Sequence, residues 1–253
     1  MAVGYSFFCF LCALGMGSMV QANSAAETLE FTWGIPSALG SSILALLTGA
    51  VVLGGIKRIG KAAECLLPLA SGIYILFSLL VLLLCADRIP DVFLRIFQSA
   101  FGIRQISGGI AGFGISKSLR YGISRGVFSN EAGLGSLAVL HGMSEGKERL
   151  RQRREAQKQG MWAIFEVFFD TIIGCSLTAF LLLCVFPHNL TGKIGSLGGS
   201  GAVAAALAAR FGNAGGIVTA ACMVLFAFAT ILAWFYIGDQ ALGWLMRDVP
   251  QKR

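Results

Sequence analysis

Charged residues are scarce in this sequence, since Asp, Glu, Lys and Arg make up only 13% of its 253 residues. Soluble domains usually carry about 25% charged residues. A chain with this little charge, of which 56% is hydrophobic, lacks the polar side chains needed to cover a water-facing surface. The scarcity of charge argues against an ordinary soluble domain.

Residues for catalysis are also few. The two histidines, His141 and His188, lie far apart, and no phosphate-binding loop or nucleophile elbow is present. The seven cysteines are scattered through apolar runs, and Cys9 and Cys12 have no second pair to complete a metal site. The cysteines are interpreted as small buried residues, and the chain is not predicted to be an enzyme.

Apolar runs of about 20 residues recur along the chain, and this length allows a helix to cross a bilayer. The sequence therefore predicts an all-α, multi-spanning membrane protein in which residues 1–253 form a single transmembrane domain. The predicted spans are 2–25, 37–56, 65–86, 106–141, 160–186 and 213–246. The first run lacks the positive start of a signal peptide, so we expect it to be a retained helix.

Three further features refine this prediction. The third span is expected to begin after Pro68 or to hold Pro68 in its first turn. Residues 89–101 are too short to cross and amphipathic enough to lie at the interface. Residues 199–212 are predicted to form a short helix rich in small residues.

The distribution of positive charge predicts the orientation. The net charge of +7 could indicate nucleic-acid binding, but membrane proteins concentrate Lys and Arg in cytoplasmic loops. One set of alternate connections, with the C-terminal tail, carries 12 Lys and Arg residues, and the opposite set carries five. Both termini are therefore predicted to be cytoplasmic.

The stretch "RGVFSNEAGLGS", residues 125–136, places polar residues and glycines inside the fourth predicted span. Ser129 and Asn130 are residue types that cap a helix start, and Glu131 suits its positive end. The stretch therefore predicts a helix broken within the membrane, as in the sites of secondary transporters. Glycine-mediated helix packing through Gly133 and Gly135 is the alternative.

Two carboxylates, Glu166 and Asp170, lie one helical turn apart in the fifth predicted span. Carboxylates within a membrane are candidates for function. The alternative is a structural role as partners of arginines in the broken helix.

Several motifs occur together in a fixed order. They are "GMGSMVQANSAA" (15–26), "LGGIKRIGKAAECLLPL" (53–69), "RGVFSNEAGLGS" (125–136), "FEVFFDTIIGCSLTA" (165–179) and "LFAFATILAWFYIGDQAL" (225–242). In this order they resemble the alanine/glycine:cation symporter family, the bacterial sodium:alanine carriers. The resemblance covers essentially the whole chain.

The resemblance implies a five-plus-five inverted-repeat sodium-symporter fold, of which this chain is the central part. Residues 106–141 would be its sixth core helix and 213–246 its eighth. The first broken helix and the last spans have no match in this sequence. A second chain supplying those helices is a possible partner.

The resemblance also implies roles for particular residues. Asn130 and the backbone from Ser129 through Glu131 to Gly133 would line the amino-acid site. Gln21 would offer its amide to the substrate, and Trp234 would form a wall of the pocket.

Thr230 would contribute to a sodium site, because sodium prefers hard oxygen ligands such as hydroxyls. Ala229 replaces a second hydroxyl of the family's motif, which weakens the expectation of a sodium site. The other departures from the family pattern are Ser18 for asparagine, Ala233 for glycine and Asp239 for glutamate.

The function expected from the resemblance is sodium- or proton-coupled uptake of alanine, D-alanine or glycine, by alternating access in a bacterial inner membrane. The alternative is a non-transporting fragment, or one piece of a split symporter, that acts only as a structural partner in the membrane. The loss of one hydroxyl at Ala229 and the unmatched first helix favour that alternative.

Overall fold

The structure is a computed structural model, and it describes residues 2–101, 119–124, 126, 129, 131, 133–142, 149–186 and 199–247. Every regular element within these ranges is helical, as the sequence predicts. The described residues belong to two compact units, one formed by residues 1–81 with 188–253 and the other by residues 82–187.

Helix α1 extends through Ala2–Trp33 and changes its winding partway. Its π-helical stretch, Ala13–Met19, lies between regular α-helical segments. Within this stretch the Ser18 hydroxyl donates to the Ala13 carbonyl, five residues earlier, at 2.8 Å. Gly34 ends the helix with a φ of 66° while its N–H donates to the Glu30 carbonyl, a left-handed ending that glycine adopts without steric cost.

Further helices follow α1 within the described residues. They are α2 (Ser37–Val52), α3 (Ile56–Leu84), α4 (Ile89–Phe101), α5 (Ser136–His141), α6 (Arg149–Phe168, π-helical Phe169–Cys175 and Ser176–Val185), α7 (Gly199–Phe211) and α8 (Asn213–Arg247). Residues 119–124 are also helical.

In the first unit α8 packs against α1, α2 and α7, and α1 also packs against α2 and α7. A buried cluster joins three of these helices through Ala25, Leu44, Ala227 and Ile231. Lipid tails are as apolar as these side chains, so the helices associate mainly through close van der Waals packing. The small alanines permit that packing by allowing the backbones to approach.

Helix α3 is attached to the same unit along one face. The Cys222 thiol of α8 lies 3.6 Å from the Ala70 carbonyl of α3. Two helical turns further along, the ring of Phe77 meets that of Phe211 edge-on at 5.4 Å. These contacts come from residues on the same side of α3, as the helical repeat requires.

The second unit contains α4, α5 and α6. Phe93 of α4 stacks on Phe180 of α6 with ring centroids 6.3 Å apart. The guanidinium of Arg88 donates to the Cys184 carbonyl at 3.1 Å. This bond satisfies a carbonyl in the last turn of α6, which has no partner within the helix.

The position of Pro68 corrects one prediction. Helix α3 begins at Ile56, so Pro68 lies well inside it and not at or before its first turn. Proline removes one N–H donor and frees the carbonyl four residues earlier, that of Glu64. Membrane helices tolerate such positions when neighbouring groups satisfy the backbone. The prediction placed the helix start too late because hydropathy detects only the apolar part of α3 and not its polar first turns.

Among the residues that the structure describes, four helices are long and apolar enough to cross a membrane: Ala2–Trp33, Ile59–Leu84, Arg153–Val185 and Asn213–Met246. Helix α2 is also apolar but has only 16 residues. The predicted spans 2–25, 37–56, 65–86, 160–186 and 213–246 overlap these five helices. Most of the predicted span 106–141 lies outside the described residues.

Candidate functional site

The backbone is interrupted between residues 129 and 136. Ser129 is helical, whereas Glu131 and residues 133–135 are not, and α5 starts at Ser136. The φ angles are 54° at Glu131, 93° at Gly133 and 81° at Gly135. These are left-handed values, which glycine adopts freely and which cost a residue such as glutamate about 1–2 kcal/mol. The interruption that the sequence predicts here is present in the structure.

Local hydrogen bonds hold Glu131 in this conformation. Its carboxylate accepts a hydrogen bond from the buried Ser136 hydroxyl at 2.6 Å. Its carbonyl accepts the N–H of Leu134 at 3.1 Å. The two bonds close a tight turn around the glycines, so the side chain of Glu131 forms part of the break.

The capping residues predicted from the sequence are not those of the structure. Ser129 belongs to the helix before the break, and Asn130 lies outside the described residues. The following helix has Gly135 at its N-cap, with no side-chain capping bond. The sequence interpretation is wrong for Ser129 because glycines extend the break to Gly135 and delay the helix start.

Ser129 instead contacts the π-helical stretch of α6. Its hydroxyl donates to the Asp170 carboxylate at 2.8 Å and lies 3.2 Å from the Cys175 sulfur. A π-helical turn holds one residue more than an α-helical turn and occurs often at functional sites. The irregular part of α6 therefore lies against the helix that ends at the break.

Glu166, one turn before Asp170, contacts the helix after the break. Its carboxylate lies 3.3 Å from Nε2 of His141, whose Nδ1 lies 2.8 Å from the Gln159 amide oxygen. The partners of the two carboxylates in the described structure are therefore a serine and a histidine. Arg125, one of the arginine partners that the sequence interpretation allows, lies outside the described residues, so that interpretation stays a prediction.

Trp234 of α8 is buried against the π-helical stretch of α1. A Cβ added to Gly17 would lie 2.2 Å from Cγ of the indole, so only glycine fits at that position. Four residues along α8, a Cβ on Gly238 would lie 2.9 Å from the side chain of Ala13. The approach of α8 to the irregular part of α1 therefore depends on these two glycines.

Gln21 and Thr230 are also in this unit. Gln21 is half-buried two residues beyond the π-helical stretch, and Thr230 is half-buried one turn before Trp234. Ala229, the neighbour of Thr230, is buried. Ser129, Glu131 and Gly133 lie in the unit of residues 82–187.

A groove of about 480 Å³ lies between α1, α2 and α8. Its lining is mostly apolar and includes Leu14, Leu44 and Trp234, with Asp239 as its charged residue. Gln21 and Thr230 do not line it. Trp234 alone among the predicted substrate and ion residues borders this space.

The sequence analysis missed both π-helical stretches and the groove. The first stretch, "ALGMGSM", is rich in glycine and small residues, which indicate close packing as readily as altered winding. The second, "FDTIIGC", gives no distinct signal. The extra residue shifts the helical pattern by one position, but within continuous apolar runs such a shift leaves no visible mark in the sequence.

Within the residues that the structure describes, no group of three or more His, Cys, Asp or Glu side chains could hold a metal ion. Thr230 presents one hydroxyl, and its neighbour Ala229 presents none.

Comparison with known proteins gives a match along almost the whole chain. The model of the sodium:alanine symporter family matches residues 1–251. The sodium/alanine symporter AgcS of Methanococcus maripaludis is 35% identical over 252 residues, which cover 97% of this chain and 51% of that protein.

Two further relatives carry related names. A sodium/proton-dependent alanine carrier protein of Bacillus sp. strain PS3 is 31% identical, over 90% of this chain and 51% of the carrier. The probable sodium/glutamine symporter GlnT of Bacillus subtilis is 29% identical, over 96% of this chain and 48% of GlnT. The chain spans about half the length of the curated relatives it matches.

Proposed function

Since this chain belongs to the sodium:alanine symporter family, a family of transporters and not of enzymes, we propose that it serves the cation-coupled uptake of a small neutral amino acid. The apolar helices of the chain fit a multi-pass protein of the cell membrane. Sodium is the proposed coupling ion, and alanine or glycine is the proposed substrate.

The break from Glu131 to Gly135 is the observation that carries this proposal. Three left-handed residues interrupt a helical region, and backbone of this kind is tolerated at membrane depth only where it is enclosed by protein or lines a cavity. Unwound segments expose N–H and carbonyl groups that no helix uses. Such groups suit the carboxylate and ammonium of an amino acid.

The contacts around the break support its role as a binding element. The Glu131–Ser136 bond fixes the turn, and the Ser129–Asp170 bond fixes the helix before it. A binding site gains affinity when its groups are already ordered, because less entropy is lost on binding. We propose that Asn130 and the backbone from Ser129 to Gly133 bind the amino acid.

On the strength of the family resemblance, Gln21 and Trp234 of the first unit are proposed as substrate residues, and Thr230 is proposed to bind the coupling ion. Gln21 would donate its amide N–H groups to the substrate carboxylate. The indole of Trp234, which is held against Gly17, would limit the size of the substrate side chain. A single hydroxyl from Thr230 requires carbonyl oxygens to complete the coordination of sodium.

Uptake in vesicles tests this function. The purified protein is reconstituted into liposomes, and entry of labelled alanine is measured with an inward sodium gradient, a proton gradient or neither. We expect uptake that depends on the sodium gradient and is reduced by unlabelled glycine. Folded protein that takes up no alanine under either ion gradient would contradict the proposal and favour a structural membrane partner.

Matched amide variants test the site within the same assay. Gln21→Ala removes the proposed substrate contact, whereas Asn23→Ala alters an exposed amide two residues away. Loss of a hydrogen bond to a charged group costs about 1.5–3 kcal/mol, a factor of roughly 10 to 150 in affinity. We expect a KM for alanine raised by about that factor only in Gln21→Ala. Equal values for the two variants would exclude Gln21 from the site.

A further inference from the structure

The groove between α1, α2 and α8 is long and mostly apolar. Along α8 its lining extends from Ile231 to Leu242, a distance of roughly 16 Å at the helical rise of 1.5 Å per residue. Phe10 and Leu14 of α1 and Leu44 of α2 face the same space. This shape and this surface suit an extended hydrocarbon chain better than a small zwitterion.

Of the three hydroxyl side chains in the lining, those of Ser18, Ser41 and Thr48, two are already used by their own helices. Ser18 donates to the Ala13 carbonyl, and Thr48 donates to the Leu44 carbonyl, each at 2.8 Å. Asp239 is exposed, and none of the ion pairs among the described residues includes it. Its carboxylate therefore makes one end of the groove negative.

The sequence position of Asp239 places the negative end of the groove near the membrane surface. The hydrocarbon core of a bilayer takes about 20 helical residues, whereas the apolar helix Asn213–Met246 has 34. Asp239 lies seven residues before Met246, and a carboxylate is costly near the bilayer centre. The Ile231 end, which lacks charge, then lies deeper in the hydrocarbon.

We propose that this groove binds a phospholipid with an ammonium headgroup, of the phosphatidylethanolamine type, from the adjoining leaflet. The ammonium pairs with Asp239, and one acyl chain lies along the apolar lining toward Ile231. Trp234 forms the wall between this lipid and the face of α8 that carries Thr230. The lipid site therefore shares one residue, Trp234, with the proposed amino-acid site, and binding of the lipid does not depend on transport.

Native mass spectrometry of the whole protein tests the headgroup. The protein is reconstituted in nanodiscs that contain equal amounts of phosphatidylethanolamine and phosphatidylglycerol. The protein is then released from the nanodiscs in the mass spectrometer, and the molecules of each lipid that stay bound to it are counted. An ion pair of this exposure is worth up to about 1 kcal/mol, so we expect a preference for the ammonium lipid of about fivefold. Asp239→Asn abolishes that preference, and Glu64→Gln, an exposed carboxylate outside the groove, retains it.

A second pair of variants tests the acyl chain. Ala45 lines the groove, and its neighbour Leu46 is 75% exposed and does not. Ala45→Phe fills the groove and is expected to reduce retention of both lipids, while Leu46→Phe leaves retention unchanged. Circular dichroism verifies the helix content of every variant.

Three results would overturn the inference. They are an unchanged headgroup preference in Asp239→Asn, equal retention in the two phenylalanine variants, and a lipid-free dimer showing that a second copy covers the groove. If Ala45→Phe fails to fold, the comparison of Asp239→Asn with Glu64→Gln decides the outcome.

Discussion

Gly17 shows how one missing side chain can determine the position of a large one. The Cβ position of Gly17 is occupied by the indole of Trp234, so even a methyl group would force the ring or the helix to move. Gly15, two residues earlier in the same π-helical stretch, has open space at its Cβ position. The two glycines are alike in sequence and differ only in what they face.

Gly17→Ala and Gly15→Ala form a matched pair for this reason. Overpacking a close contact usually costs about 1–3 kcal/mol, so Gly17→Ala is expected to unfold at a lower temperature than the parent protein. Gly15→Ala is expected to match or slightly exceed the parent, since alanine favours helix. Thermal unfolding in detergent measures both. Equal melting temperatures would show that the indole of Trp234 moves aside freely.

At the scale of elements, the broken helix and α6 are joined by the Ser129–Asp170 hydrogen bond. The same helix α6 contacts the segment after the break through Glu166 and His141. One helix therefore supports both sides of the interruption. Its π-helical stretch includes Asp170 and Cys175, the two residues that Ser129 contacts.

A double-mutant cycle measures this link. Ser129→Ala and Asp170→Ala should each destabilise the protein, and the double variant should be more stable than the sum predicts, by about 0.5–3 kcal/mol. Ser129→Ala combined with Glu166→Ala is the control and should be additive, because these residues share no partner. Chemical unfolding followed by circular dichroism gives the values. Additivity in both cycles would show that the Ser129–Asp170 bond contributes no stability.

The helices themselves are largely predictable from hydropathy, but their ends are not. The first span was predicted to end at residue 25, whereas α1 continues to Trp33 because backbone hydrogen bonding does not require apolar side chains. Glu27 accepts a hydrogen bond from Ser200 of α7 at 3.0 Å, a contact that no local pattern reveals. Tertiary packing, not composition, sets the length of this helix.

The candidate site was predictable in part. The break at Glu131 could be inferred because glycine and polar residues are poor choices within a membrane helix. Its tethering to Asp170 could not, since 41 residues separate Ser129 from Asp170 and no pattern links them. The roles of Gln21 and Thr230 remain predictions from the family resemblance.

On the scale of the whole molecule, charge predicts how the chain is oriented. The Lys- and Arg-rich connections begin helices α3 and α6, which therefore extend from a polar region into an apolar one. By the positive-inside rule we expect these ends, and both termini, to face the cytoplasm. We expect the connection from Gly34 to Pro36, which carries no Lys or Arg, to face the opposite side.

Reporter fusions measure this orientation. Green fluorescent protein attached after residue 253 should fluoresce, and alkaline phosphatase attached there should be inactive, because each folds on only one side of the membrane. Phosphatase inserted between Gly34 and Ile35 should be active. The reverse pattern at both positions would invert the predicted orientation, and phosphatase activity at both would contradict the predicted cytoplasmic C-terminus.

The π-helical stretch in α1 also determines where this helix can lose one residue without disturbing its other contacts. A one-residue deletion in a regular α-helix turns everything beyond it by about 100°, which would move Gln21 and the buried face of Val20–Trp33 away from α8. Residues Ala13–Met19 already hold one residue more than α-helical winding needs. Loss of a residue there would restore regular winding and leave both flanking segments in phase. The π-helical stretch is therefore the part of α1 where the chain can shorten while its other contacts stay aligned.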